Sequence, residues 1–174
     1  MNMKLHHVAV LGSLLFVAGN LHAASPDASV GKKLDATGLK YEVDGDGDYK
    51  LLFAVDGGRS QIVWVRTPTE ALGGMRIREV LSIGGKMSKP QTEEELTAQA
   101  VLTSGAMLKS GNQKLGGWVL KTSGDDSVFY YVAQVPADIS AEDLQAVTQV
   151  VAKSADAFEV VAETMLETSK KDTY

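Results

Sequence analysis

The chain has no cysteine, and its three histidines, His6, His7 and His22, all lie within the first 22 residues. Without cysteine there are no disulfides, so the fold must hold by packing alone, which a chain of this length can do. The opening residues carry Lys4, then an apolar run over 8–19 broken only by Gly12 and Ser13, then small residues up to Ala23. That pattern is expected of a secretory signal peptide. The run is short of the roughly 20 residues that a bilayer-crossing helix needs. We therefore expect cleavage after Ala23, delivery to the periplasm, and no membrane span in the mature chain, although Leu21 is bulkier than the residue usual at that place.

Once residues 1–23 are removed, the mature chain has neither histidine nor cysteine. Serine–histidine and cysteine–histidine nucleophiles, histidine bases and ordinary zinc sites are then excluded. Carboxylate, lysine, tyrosine and serine chemistry remain. The signal carries one of the 17 basic side chains and none of the 22 acidic ones, so its loss makes the chain more acidic and argues against a nucleic-acid partner. Proline is scarce too, with 4 against 17 glycines, so the corners fall mainly to glycine.

The remainder reads as a polar leader over 24–29, one domain over 30–167, and a tail over 168–174 that should fray. A short helix over 30–38 is stopped by Gly38. "LKYEV", "YKLLFAV", "QIVWVRT" and "MRIREVLSI" then alternate with period two, separated by "DGDGD", "DGGRS" and "EALGG", which fit hairpins and a longer link. Thr92 with Glu95 forms a capping box for a helix over 92–110, whose apolar face would be Leu96, Ala100, Val101, Met107 and Leu108. "GGWVLKTSGDDSVFYYVAQV" gives two more strands around "SGDD". Ser140 with Asp143 opens a last helix in which Leu144, Val151, Phe158 and Met165 recur every seven residues, with Val147 and Val161 between them.

The order α-β-β-β-β-α-β-β-α implies an α+β fold, one antiparallel sheet with helices packed on it. In "QIVWV", Ile62 and Trp64 oppose Val63 and Val65; in "VFYYVA", Val128, Tyr130 and Val132 oppose Phe129, Tyr131 and Ala133. A sheet with one wet face would alternate with polar residues here. Something must cover the second face.

Asp44, Asp46 and Asp48 in "DGDGD" raise the question of calcium. An EF-hand loop needs glycine at its sixth position and glutamate at its twelfth, where this chain has Tyr49 and Val55. We read a tight turn, with a weak surface calcium contact as the alternative. "SVGK" at 29–32 and "KTSG" at 121–124 echo penicillin-binding enzymes, but the serine–aspartate–asparagine motif is missing and the match is by chance. Gly84-Gly85-Lys86-Met87 lacks the spacing of a phosphate loop. The double glycines at 57, 73, 84 and 116 read as turns or strand ends, Trp64 and Trp118 as core, with a binding surface as the alternative for one of them. Glu142, Asp156, Glu159, Glu163 and Glu167 read as the solvated face of the last helix. No catalytic, cofactor-binding or metal-binding residue is assigned, and no cofactor is implied.

As an ensemble, "DATGLKYEVDGDGDYKLLF", "GGWVLKTSGDDSVFYYVAQV" and "ISAEDLQAVTQVVAKSADAFE" resemble the YbjN-domain, type III secretion chaperone-like family over about 30–165. The resemblance implies an α+β sandwich, often dimeric, that binds polypeptide or regulates by contact and has no shared active site. Those secretion chaperones work in the cytoplasm, whereas this chain carries an export signal, so a periplasmic role fits better. We expect a non-enzymatic protein-binding or regulatory module whose partner is a polypeptide or a second copy of itself. Docking would use the doubly apolar sheet, or Val150 and Val160 on the last helix. The alternatives are a carboxylate-dependent hydrolase with two facing acids, or a small-molecule or lipid carrier with an enclosed cavity.

Overall fold

The computed structural model describes residues 25–171; the expected signal peptide at 1–23 lies outside them. The elements are α1 (Ala28–Ala36), β1 (Tyr41–Val43), β2 (Tyr49–Ala54), β3 (Ser60–Leu72), β4 (Met75–Ser88), α2 (Glu93–Ser110), β5 (Gly117–Ser123), β6 (Asp126–Pro136) and α3 (Ala141–Lys171). The order and the α+β class are those expected from the sequence. One antiparallel sheet runs β1-β2-β3-β4-β6-β5. Helix α1 begins inside the segment read as a leader, and α3 runs to Lys171, into the segment expected to fray.

Each helix starts where its capping chemistry says it should. The Asp27 carboxylate accepts from the Ser29 N–H at 2.9 Å. Thr92 Oγ1 accepts from the Glu95 N–H at 3.1 Å, and the Glu95 carboxylate reaches back to the Gln91 N–H at 2.7 Å. Ser140 Oγ accepts from the Asp143 N–H at 3.0 Å. Every cap satisfies an amide left free by the first helical turn.

All three helices pack on one face of the sheet. Leu51, Val63, Val65, Val80, Tyr131, Ala133 and Val135 meet Val30 and Leu34 of α1 and Leu144, Val147, Val151 and Ala155 of α3. A second cluster joins Met87 and Phe129 to Leu102 and Ala106 of α2 and to Phe158 and Ala162 of α3. Burying each large apolar side chain contributes about 1.5–3 kcal/mol, and α3 alone of the helices supplies residues to both clusters.

Several expectations are corrected. The apolar residues assigned to the buried face of α2 point outward: Leu96, Val101, Met107 and Leu108 are exposed, and Leu102 and Ala106 are buried instead. The stripe of α3 is buried at Leu144, Val151 and Phe158, but Val161 and Met165 are exposed, and Ala162 takes the buried place beside Gly85 of β4. Asp156 is not on a solvated face; it is buried, held by Arg59 at 2.7 Å. The side chain of Glu167 lies outside the described part.

Gly84 and Gly85 are neither a turn nor a strand end. They lie inside β4 at a register shift against β6, between Ile83 and Gly85. A Cβ on Gly84 would stand 2.5 Å from Cζ3 of Trp118, so the indole occupies the place of a side chain. "EALGG" is a tight hairpin rather than a link, for β3 and β4 continue to Leu72 and Met75. Pro68 falls in the register shift between Val65 and Thr69, where no ladder hydrogen bond needs its missing N–H.

Candidate functional site

The second face of the sheet is where sequence and structure meet. Residues alternate along a pleated strand, so the chain neighbours of the inner residues project the other way. In register, Lys50 pairs with Trp64, Trp64 with Leu81, and Leu81 with Val132. Beside them Leu52 pairs with Ile62, Ile83 with Tyr130, and Tyr130 with Val119. These two rows make a continuous apolar strip across β2, β3, β4, β6 and β5. Among the described residues no helix lies over it.

Large neighbours bury Leu81 and Val132 within the strip, Trp64, Ile62, Ile83 and Tyr130 are half-buried, and Leu52 and Val119 are exposed. The expectation that Trp64 is core is therefore corrected: it is the middle of an open surface. Trp118 points the other way and packs on Phe158, ring centroids 4.3 Å apart, and on Tyr131 at 5.3 Å. Charged residues of both signs edge the strip. Glu42 and Lys50 stand 3.8 Å apart near β1, Lys86 pairs with Asp126 at 2.9 Å, and Lys121 Nζ sits 5.4 Å from the centre of the Tyr130 ring.

The other sequence candidates resolve differently. Asp44, Asp46 and Asp48 lie close, one carboxylate oxygen of each within 4.8 Å of the others. Local bonds account for Asp44 Oδ1 and Asp48 Oδ1, and the Arg66 guanidinium faces Asp48 Oδ2. Asp44 Oδ1 accepts from the N–H groups of Asp46 and Asp48, both at 3.0 Å, the Asp44 N–H donates to Asp48 O at 3.0 Å, and Gly47 takes a positive φ of 80°. Asp48 is buried, accepts from the Thr67 N–H at 2.6 Å and stands 3.0 Å from the Arg66 guanidinium. Burial pushes its carboxyl up, and Asp44 and Asp46 add to that, against the Thr67 N–H and Arg66. The cluster is a β1–β2 corner tied to β3.

Three acids draw an arginine each: Asp48 with Arg66, Asp156 with Arg59, and Asp27 with the fully buried Arg78. Arg78 also donates to the carbonyls of Arg66 and Thr67, the latter at 3.0 Å, so it clamps the start of α1 onto the bend in β3. Burial raises the Asp27 carboxyl, but bonds from Ser29 and the Arg78 guanidinium outweigh it and hold the group below the usual carboxylate range. Sequence reading missed this clamp, since an arginine on a strand carries no sign of burial.

Open clefts flank the helices. One, of about 500 Å³, lies between the β2–β3 turn and α3, lined by Phe53, Asp56, Gln149, Lys153 and Asp156 among others. Another, of about 600 Å³, includes Asp27, Lys33, Arg76, Arg78 and Asp138. The acids Asp156 and Asp27 in these clefts are the ones neutralised by arginine. No helix among the described residues is long and apolar enough to cross a membrane.

No protein-family model matches the chain, and no curated protein matches it. Among solved structures it is similar to the crystal structure of YbjN from E. coli, a candidate transcription regulator, with 11% identity over 83% of this chain and 91% of that chain and a TM-score of 0.41.

Proposed function

We propose that the protein is an exported, non-enzymatic binding module that self-associates by laying the uncovered face of its sheet against the same face of a second copy. The apolar strip supports this reading more than any other observation. Five strands about 4.8 Å apart and two rows of same-face residues about 6.8 Å apart give an apolar footprint of roughly 24 by 14 Å. That is the size of an apolar centre within a standard interface of ~800 Å² per partner, whose rim is polar. The strip is a sheet face, which suits another sheet stacked about 10 Å away. Its rim offers both charge signs, so a like surface need not be repelled.

The hydrolase alternative finds less support. A general acid needs a carboxyl held up into its protonated form. Burial raises those of Asp48 and Glu159, but neither lines the two clefts flanking the helices. There Asp27 is pushed down and Asp156 is engaged by Arg59. The carrier alternative needs an enclosed cavity, and the clefts above open to solvent. The test is molar mass by light scattering across a concentration series. Wild type should move to dimer as concentration rises and a Trp64→Glu variant should stay monomeric; a monomeric wild type at high concentration sinks the reading.

One observation favours a second surface for the same pairing. Leu96, Val101 and Leu108 stand exposed along α2 around Ala100, Ser104 and Gly105. An antiparallel pair of α2 helices would set Glu93, Glu94 and Glu95 of one copy beside Lys109 of the other. Loss of the dimer in Leu108→Glu but not in Trp64→Glu would move the interface there.

A further inference from the structure

The cleft where the end of α2 crosses α3 holds an unmet demand for negative charge. It has a volume of about 220 Å³, and Lys109 and Gln113 line it from the α2 side, Trp118 from β5, and Lys153, Ser154 and Phe158 from α3. No carboxylate lines it. Among the described residues neither lysine forms an ion pair, in a chain whose acids outnumber its bases by five. Asp156, near Lys153 in the adjoining cleft, is taken by Arg59. Lys109 is also not needed to answer the helix end. The carbonyls of Ala106, Met107, Leu108, Lys109 and Ser110 already accept from Ser110 Oγ, Gly111 N, Asn112 Nδ2, Asn112 N and Gln113 N respectively.

The indole of Trp118 forms part of the wall. Trp118 Nε1 is buried and has no acceptor, a state that costs about 1–3 kcal/mol for a polar group. The Ser154 hydroxyl is engaged with the Tyr131 hydroxyl, which itself donates to Leu115 O, and the indole finds no acceptor there. The donors lining the cleft are two ammonium groups and the Gln113 amide, the indole N–H lies buried behind its wall, and the rest of the wall is the apolar surface of Trp118, Ala157 and Phe158.

We infer that this cleft binds a small organic anion, a carboxylate or phosphate ester carrying a compact apolar group, with the charge between Lys109 and Lys153 and the apolar part against Trp118 and Phe158. The volume equals that of about seven waters at ~30 Å³ each, which suits a ligand the size of benzoate. The site is separate from the sheet face, so it can fail or hold independently of the self-association proposed above.

The experiment follows Trp118 fluorescence in the Trp64→Phe protein during titration with benzoate, phenyl phosphate, inorganic phosphate and, as an uncharged counterpart, benzamide. Benzoate or phenyl phosphate should give a saturable change and benzamide none. Whichever of the two esters or acids binds more tightly identifies the charged group, and inorganic phosphate reports what the apolar part adds. Lys109→Gln with Lys153→Gln should weaken binding at least about tenfold, the loss expected for charged hydrogen bonds, at an unchanged melting temperature because both side chains are exposed. Equal binding of benzamide, equal binding by the double variant, or no saturable change with any anion overturns the inference.

Discussion

Leu51 and Leu52 are the same residue type at adjacent positions of β2, one 1% exposed and the other 68% exposed. Replacing each separates what holds the fold from what would hold a partner. Leu51→Ala removes a side chain packed among Val63, Tyr49 and α1, a change that costs about 2–5 kcal/mol in a close-packed core. At about 2–4 °C per kcal/mol for a chain of this size, melting should fall by roughly 4–20 °C. Leu52→Glu touches little in the single molecule and should stay within about 0.5 kcal/mol of wild type. In a face-to-face pair the same leucine would be covered. Full burial of leucine contributes about 1.5–3 kcal/mol, and about two thirds of that is still available at Leu52, so each copy stands to lose about 1–2 kcal/mol. A two-fold interface loses it twice, which weakens association roughly 30- to 1000-fold, before the cost of desolvating the new carboxylate. Differential scanning calorimetry read beside sedimentation equilibrium checks both halves. An unchanged dimer constant in Leu52→Glu, or a melting loss as large as that of Leu51→Ala, refutes the reasoning.

Phe158 packs on Trp118 and on Phe129, with ring centroids 4.3 and 5.1 Å away, and Phe158→Ala should cost about 3–5 kcal/mol, read as a denaturant midpoint shift without change in slope. Gly84→Ala drives a methyl group into Trp118, whose ring cannot retreat past Phe158 and Tyr131, and about 1–3 kcal/mol should be lost; a neutral result in urea unfolding contradicts the close approach. Asp27→Asn leaves the buried Arg78 without its counter-charge and should cost about 1–3 kcal/mol at neutral pH, towards the lower end because Asp27 is a third exposed to screening solvent. The Asp27 carboxyl is held below its unfolded value, so its contribution is present above about pH 4 and disappears as pH falls through the lower, folded value. Melting curves of wild type and variant should therefore converge in acid, and a gap constant down to pH 2 rejects the pairing. Millimolar calcium should leave the melting temperature unchanged, since Arg66 already faces Asp48; a clear rise would reinstate Asp44, Asp46 and Asp48 as ligands.

Periodicity and capping made the fold legible. Thr92, Ser140 and the seven-residue recurrence of Leu144, Val151 and Phe158 are local signals, and local hydrogen bonds and helix geometry realise them directly. The misreadings share a different cause, because each depended on what a neighbouring element would do. Leu96 and Leu108 form a good apolar stripe, but α2 meets α3 and β5 through Leu102 and Ala106, so the stripe is left outside. Gly84 looks like a turn until Trp118 arrives from a strand 34 residues later to fill its place. Arg78 and Asp156 look like surface charges until Asp27 and Arg59 reach them from distant segments. Spacing within one element cannot carry such information. The double apolar face was legible because both halves of its pattern sit in single strands, "QIVWV" and "VFYYVA".

That face and the outward stripe of α2 also constrain each other. Both lie on the same chain, but α2 packs on the helical side of the sheet and the bare strip is on the other. A two-fold pair formed through one surface leaves the second free on each copy. If both were used with themselves, association would not stop at two and would run to a closed tetramer or an open chain. A mass that plateaus at the dimer therefore means that one surface is spent on self-pairing and the other is left for a different polypeptide. In that case Leu52→Glu and Leu108→Glu must differ in kind: one should abolish the dimer, and the other should leave it intact while removing whatever the dimer binds.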